Sequence, residues 1–142
     1  MNIHSYQHQD KAGVIALWQA CGLINPANDP AKDIARKLAV DPDLFLVGSS
    51  DQNGHVIATV MGGYEGHRGW INYLAVSPDE QRKGYGKAMM DAVELLLRAK
   101  GCPKINLQVR TTNTQVIEFY AALGYNVDNV MGLGKRLEND TD

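Results

Sequence analysis

No apolar run in this 142-residue sequence approaches the ~20 residues needed to cross a bilayer; runs such as Leu44 to Val47 and Val56 to Met61 are far shorter. Charge of one sign is scarce as well. Fourteen basic residues against 16 acidic ones leave a net charge of -2, so no global field draws in a polyanion such as nucleic acid, and any anion site must be local. Cysteine is limited to Cys21 and Cys102, which show neither metal-ligand spacing nor a redox-pair pattern. No metal is expected, and both thiols are expected to be reduced. The first residues, polar by Asp10, lack the continuous apolar stretch of a secretory signal, so a cytoplasmic location is expected. Repeats, low-complexity segments and long linkers are missing too, which leaves one domain over residues 1–142 with a frayed acidic end from Glu138 to Asp142. The composition, 44% hydrophobic and 21% charged, is that of an ordinary globular chain and selects neither an enzyme nor a binding module.

What is present is a sequence of short periodic segments. Ile3 to Tyr6 reads as a strand, and Asp10 then caps a helix with Val14, Trp18 and Cys21 on one face and Gly22 as its stop. Asp29-Pro30 opens a second helix to about Ala39, with Ile34 and Leu38 inward and Asp33, Arg36 and Lys37 toward water. Leu44 to Ser49 and His55 to Tyr64 are apolar, partly β-branched runs joined by Asp51-Gln52-Asn53-Gly54, a hairpin signal. Trp70 to Val76 alternates, with Ile71, Tyr73 and Ala75 on one face, and Ser77-Pro78 ends it. From about Gly84 to Lys100 the apolar positions Tyr85, Ala88, Met89, Ala92, Val93 and Leu96 keep the helical period, with Gly101 as the cap. Ile105, Leu107 and Val109 alternate as a strand. A helix from about Thr114 to Leu123 follows, burying Val116, Phe119 or Tyr120, and Leu123, and a weak final strand runs toward Leu137. The order is β-α-α-β-β-β-α-β-α-β.

Two constellations carry chemistry. The first is the loop Gln81-Arg82-Lys83-Gly84-Tyr85-Gly86-Lys87, basic and glycine-punctuated, between a strand and the first turn of a long helix. Glycine admits close backbone approach, the first helical N–H groups have no partner inside the helix, and the helix dipole there favours negative charge, so a pyrophosphate suits this loop. An isolated Q-x-x-G-x-G string also serves simply as a turn with solvated cations. Lys87-Ala88 after Gly86 does not complete a Walker loop, and Met89 stands where a dinucleotide-binding fingerprint has its third glycine. The second is Asn113 followed by Phe119-Tyr120 and Leu123-Gly124-Tyr125, which a helix cap, core aromatics and a C-terminal glycine also explain.

Together, a strand, a Q-x-x-G-x-G helix, a strand and an N-x(6)-Y helix ending in L-G-Y resemble the GNAT superfamily of acyl-CoA N-acyltransferases, over about Ile3 to Leu137. The segments Asn28-Asp29-Pro30, Met61-Gly62-Gly63-Tyr64, Gly66-His67-Arg68-Gly69, Gly101-Cys102-Pro103-Lys104 and Leu133-Gly134-Lys135-Arg136-Leu137 look like the small bacterial YpeA-type members. The resemblance implies an α/β (α+β) fold with a mixed, mostly antiparallel sheet of six to seven strands and about four helices. It also implies acetyl-CoA as acyl donor. The donor's pantetheine arm would lie along Leu74, Ala75 and Val76, with its pyrophosphate on the backbone of the Gln81 to Lys87 loop. The side chains of Arg82, Lys83 or Lys87 would meet the 3′-phosphate, and Asn113 the pantetheine or adenosine side. By the same comparison Tyr120 is the acid that protonates the departing thiolate after direct attack by an amine, and a backbone N–H from Leu74 to Val76 meets the tetrahedral oxygen.

The base does not carry over. Related ribosomal-protein alanine acetyltransferases place a Glu where Gln108 stands here, and an amide is no base. Glu65, at the end of a strand expected to border the acceptor cleft, is the preferred substitute, with bulk water and His67 as alternatives. Trp18, Asn28, Asp29 and Tyr73 are candidate acceptor-side residues, although core packing and capping explain Trp18 and Asp29 equally well. Cys21 and Cys102 have no activating neighbour that marks a nucleophile. The reading is acetyl transfer to a primary amine of a small molecule, or to a protein amine, against the alternative of a catalytically silent acyl-CoA-binding module. A homodimer stays open, and neither membrane nor nucleic acid is an expected partner.

Overall fold

The computed structural model describes residues 1–141, so Asp142 lies outside the described residues. Five strands form one sheet in the order β1 (Asn2–Ser5), β2 (Phe45–Ser49), β3 (Val56–Tyr64), β4 (Gly69–Val76) and β5 (Ile105–Leu107). All neighbours pair antiparallel except β4 and β5, which are parallel because helix α3 (Tyr85–Ala99) carries the chain back between them. Helices α1 (Lys11–Ala20) and α2 (Pro30–Leu38) precede β2, and α4 (Thr114–Ala122) follows β5.

Alternation along the central strands sorts side chains to two cores. Leu44, Leu46, Ala58, Val60 and Ile71 pack with Met89, Met90, Val93 and Leu97 of α3 and Tyr120 of α4. On the opposite face Phe45, Val47, Met61 and Ala75 meet Val14, Leu17 and Trp18 of α1 and Ile34 of α2. A fully buried side chain of these types contributes about 1.5–3 kcal/mol, so this two-sided burial is what makes β2 and β3 the centre of the fold. Helix α3 reaches the sheet so closely that a Cβ on Gly62 of β3 would stand 2.7 Å from Cγ2 of Val93.

Several expectations are corrected. Among the described residues no strand follows β5, so the sheet has five strands rather than six to seven. Residues 126–138, where a final strand is expected toward Leu137, lie in the open instead, with Val127, Val130, Met131, Leu133 and Leu137 all exposed. Gly132 and Gly134 interrupt this stretch, and β5 offers only three residues to pair with. Leu38 is exposed rather than inward, whereas Asp33 and Lys37, expected toward water, face the sheet: Asp33 accepts from the Tyr73 hydroxyl, and Lys37 donates to the Gly62 carbonyl. Asp10 does not cap α1 with its side chain; its carboxylate accepts from Gln7 N (2.9 Å) and pairs with His4. Where fraying is expected, Asp140 is docked, accepting from Arg36 Nη2 (2.6 Å) and from the Asp29 amide (3.0 Å).

Candidate active site

The site begins where β4 loses a neighbour. β5 pairs with β4 only from Gly69↔Ile105 to Ile71↔Leu107, yet β4 runs on to Val76. From Asn72 onward the β5-side edge of β4 has no strand beside it among the described residues, which is the opening an extended ligand can line as an added strand. Within the same stretch the β3–β4 register slips: Thr59 faces Ala75 but Met61 faces Asn72, so two steps on β3 oppose three on β4. The extra residue falls at Tyr73, whose φ of 52° is left-handed, a conformation that costs a side chain with a Cβ roughly 1–2 kcal/mol.

The bulge changes the phase of the strand. Ile71 packs into the core under α3, whereas Tyr73 and Ala75 face α1 and α2, and Leu74 and Val76 return to the α3 side. The expected shared face of Ile71, Tyr73 and Ala75 is therefore corrected. Tyr73 stacks on Trp18 with ring centroids 3.9 Å apart, and its hydroxyl donates to Asp33 Oδ2 at 2.7 Å. Burial, and next the Asp33 carboxylate, push this phenol well above its ordinary range.

Beyond Val76 a short 3-10 turn, Pro78–Glu80, delivers the glycine-punctuated loop. Gln81 folds back so that its Nε2 donates to the Val76 carbonyl (3.3 Å), which also accepts from Cys21 Sγ (3.3 Å). Arg82 (φ 65°) and Gly84 (φ 82°) are both left-handed, and Gly84 is the N-cap of α3. The first intrahelical bond is Ala88 N to Gly84 O (3.1 Å), and no side chain caps this end among the described residues. The amides of Tyr85, Gly86 and Lys87 are thus free of helical partners, at the positive end of a 15-residue helix. Lys83 pairs with Glu80 and Lys87 with Asp91, each at 2.7 Å; among the described residues Arg82 has no ion pair. Gly86 has a second constraint, since a Cβ there would lie 3.1 Å from Cζ of Phe119 on α4.

Helix α4 borders the loop. Asn113 caps it, its Oδ1 accepting from Val116 N (3.4 Å), which leaves the amide nitrogen to reach a ligand. Tyr120 is only 8% exposed and lies edge-on to Phe119 and Tyr125. Burial alone pushes its phenol up to about 12, and no hydrogen bond from the described residues reaches its hydroxyl. It therefore stays un-ionised throughout the neutral range.

Residues 12–125 match the Acetyltransferase (GNAT) family. The chain belongs to this family. An acetyltransferase of Sodalis glossinidius (strain morsitans) is 48% identical over 143 residues, covering all of this chain and 99% of the relative. Among solved structures, Ard1 from Thermoplasma volcanium superposes with a TM-score of 0.80 at 26% identity, over 89% of this chain and 83% of that one. The ribosomal-protein-S18-alanine N-acetyltransferase of Escherichia coli shares the fold, with a TM-score of 0.73 at 23% identity over 88% and 77%. This protein is an acyl-CoA-dependent N-acetyltransferase.

The acetyltransferase gathers Val76, the Gln81 to Lys87 loop and Phe119 beside Tyr120 at one end of β4. Glu65 is not among them. It follows β3 at the Gly69 end of β4, and its carboxylate accepts from the amides of His67 (2.6 Å) and Arg68. Those bonds hold it below the usual carboxylate range and make it the acceptor that closes this turn. His67 is exposed in the same turn. Gln108 lies against the open C-terminal stretch, its Nε2 3.1 Å from where a Cβ of Gly132 would stand. Asn28 receives Arg136 (3.0 Å), Asp29 caps α2 through Ala31 N (2.9 Å), and Trp18 is fully buried. Cys21 is half-buried, and burial raises its thiol above the ordinary range, the opposite of an activated nucleophile. Behind the bulge Tyr73 links Thr59, through its carbonyl, to Asp33, through its hydroxyl, and the polar chain continues to Arg36 and Asp140; in the sequence only a threonine between apolar Ala58 and Val60 signals it. Among the described residues no helix is long and apolar enough to cross a membrane.

Proposed function

We propose that this acetyltransferase moves the acetyl group of acetyl-CoA to a primary amine of a small molecule by direct attack. The observation that carries the reading is the uncapped N-terminus of α3, which puts three unpartnered amides and the Arg82 guanidinium next to the unpaired edge of β4. That arrangement suits a donor with a pyrophosphate at one end and an amide-rich arm at the other. In this reading Asn72 to Val76 hydrogen-bond the arm, the amides from Arg82 to Lys87 take the pyrophosphate, and Arg82 takes a further phosphate. Lys83 and Lys87 add charge from their carboxylate pairs.

The amine nitrogen attacks the thioester carbon, its C–N bond forms as the carbonyl oxygen gains charge, and the C–S bond then breaks. The Leu74 amide, at the bulge, is the donor proposed for the developing oxyanion. Tyr120 donates its hydrogen bond to the departing sulfur, and the surplus amine proton leaves to water, since Gln108 is not a base and Glu65 faces a turn.

The test is thiol release from acetyl-CoA over a panel of amines, small molecules and N-terminal peptides together, alongside thermal denaturation with acetyl-CoA. A melting temperature raised by acetyl-CoA and amine-dependent thiol release support the reading. Absence of a thermal shift at saturating acetyl-CoA overturns the donor assignment. A thermal shift without turnover by any amine favours the silent acyl-CoA-binding alternative, which the missing carboxylate at position 108 keeps specific.

A further inference from the structure

The left-handed Tyr73 is an aromatic residue in a conformation that persists only when its surroundings over-determine it. Three attachments do so, all outside the strand ladder. Its carbonyl accepts from Thr59 Oγ1 at 2.8 Å, its ring lies on the Trp18 indole at an interplanar angle of 16°, and its hydroxyl donates to Asp33. Thr59 is fully buried, and its hydroxyl is engaged both ways, because the same oxygen accepts from Trp18 Nε1 at 2.9 Å. A valine would match its shape at this position but could neither receive the indole N–H nor hold the Tyr73 carbonyl.

The peptide joining Tyr73 to Leu74 is trans and planar, so its N–H points opposite to its C=O. Fixing the Tyr73 carbonyl on Thr59 of β3 therefore turns the Leu74 N–H away from β3, toward the side that β5 has left. We propose that Thr59 and Asp33 are positioning residues for acyl transfer: Thr59 aims the Leu74 amide at the thioester oxygen by holding the Tyr73 carbonyl, and Asp33 locks the bulge by holding the Tyr73 hydroxyl. This inference rests on the acetyl-transfer reading above. Neither side chain touches the reacting atoms. Asp33 is itself placed by Arg36 (3.2 Å), which Asp140 grips at 2.6 Å, so the support extends through α2 to the C-terminal segment.

The experiment compares wild type with Thr59→Val, Thr59→Ser and Tyr73→Phe. It measures acetyl-CoA affinity by calorimetry, enzyme-dependent hydrolysis of acetyl-CoA, and transfer to L-lysine, D-glucosamine and 2-phenylethylamine. The expected result is a kcat about 10- to 100-fold lower for Thr59→Val, a fraction of the loss that follows removal of an oxyanion donor, with acetyl-CoA affinity within about twofold of wild type. Thr59→Ser, which keeps the hydroxyl, recovers most of the rate. Tyr73→Phe, which keeps the ring on Trp18, loses about threefold to tenfold in kcat and folds normally, so it reports even if Thr59→Val does not fold. Tyr73→Phe at wild-type kcat overturns the role of Asp33, and Thr59→Val at wild-type kcat, or equal losses in the serine and valine variants, overturns that of Thr59. A wild type that binds acetyl-CoA and turns it over beside unaffected variants sinks only this inference; a wild type that neither binds nor cleaves acetyl-CoA sinks the acetyl-transfer reading with it.

Discussion

Replacing Tyr120 by phenylalanine separates catalysis from folding. The hydroxyl has no protein partner among the described residues, so its loss orphans nothing, and the ring contacts with Phe119 and Tyr125 remain. The expected stability change is under about 1 kcal/mol, or roughly 4 °C in Tm for a chain of this size. The rate effect follows from the acidity. With its phenol pushed up to about 12, Tyr120 is a weaker acid by about 3.5 pH units than an ordinary thiol at about 8.5, so complete transfer to a free thiolate is uphill by about 5 kcal/mol. What it supplies is a hydrogen bond to sulfur as charge develops, about 1.5–3 kcal/mol for a charged acceptor, which converts to a kcat loss of about 10- to 150-fold. The sign of the shift also matters. A phenol titrating near 12 stays protonated through neutral and moderately basic pH, so it places no basic limb on the wild-type profile there. Single-turnover thiol release at saturating acetyl-CoA measures the step directly. An unchanged single-turnover rate refutes the acid role, and a fall in donor affinity matching the fall in rate shows that the hydroxyl binds the donor instead.

Other outcomes test other links. A saturating donor at 100 times its Kd should add about 2.7 kcal/mol, roughly 10 °C in Tm; reversing charge at Arg82 and Lys83 together should remove more than half of that rise, and a full response would exclude both from the phosphate site. Gly62→Ala drives a Cβ to within 2.7 Å of Val93 and should cost about 1–3 kcal/mol by overpacking; thermal denaturation of Gly62→Ala with and without Val93→Ala should show strong non-additivity, and simple additivity would mean that α3 does not press on β3 there. Glu65→Gln should leave the pH–rate profile unchanged, because the carboxylate serves the His67 and Arg68 amides; disappearance of the acidic limb would identify it as the base.

Elements defined by a continuous hydrophobic period were readable from the sequence. The Asp51 to Gly54 hairpin, the long helix after Gly84 and the capped helix after Asn113 all form as expected, because local turn chemistry and burial agree there. The place of the glycine-punctuated loop at the start of α3 was readable for the same reason: glycine at a helix start is a local signal. The bulge was not. Ile71 to Val76 reads as regular alternation, and a tyrosine in the left-handed region leaves no local trace, since what holds it is Thr59, Trp18 and Asp33 from three other elements. Asp33 and Lys37 depart from expectation because a charged residue on a short helix is ordinarily solvated, whereas here the sheet beneath α2 offers polar partners. The setting of Glu65 was not legible, because sequence shows a carboxylate at a strand end but not the two amides that the following turn folds back onto it.

The bond between Arg36 and Asp140 joins residues 104 positions apart. At about 5–20 residues per second of synthesis, Asp140 emerges roughly 5–20 s after its partner. The sheet order β1 to β5 and both helical layers are already specified by then. The loop at the start of α3 is therefore synthesised before the clamp on α2 can close, and the segment proposed to recognise the donor precedes the one that steadies the bulge.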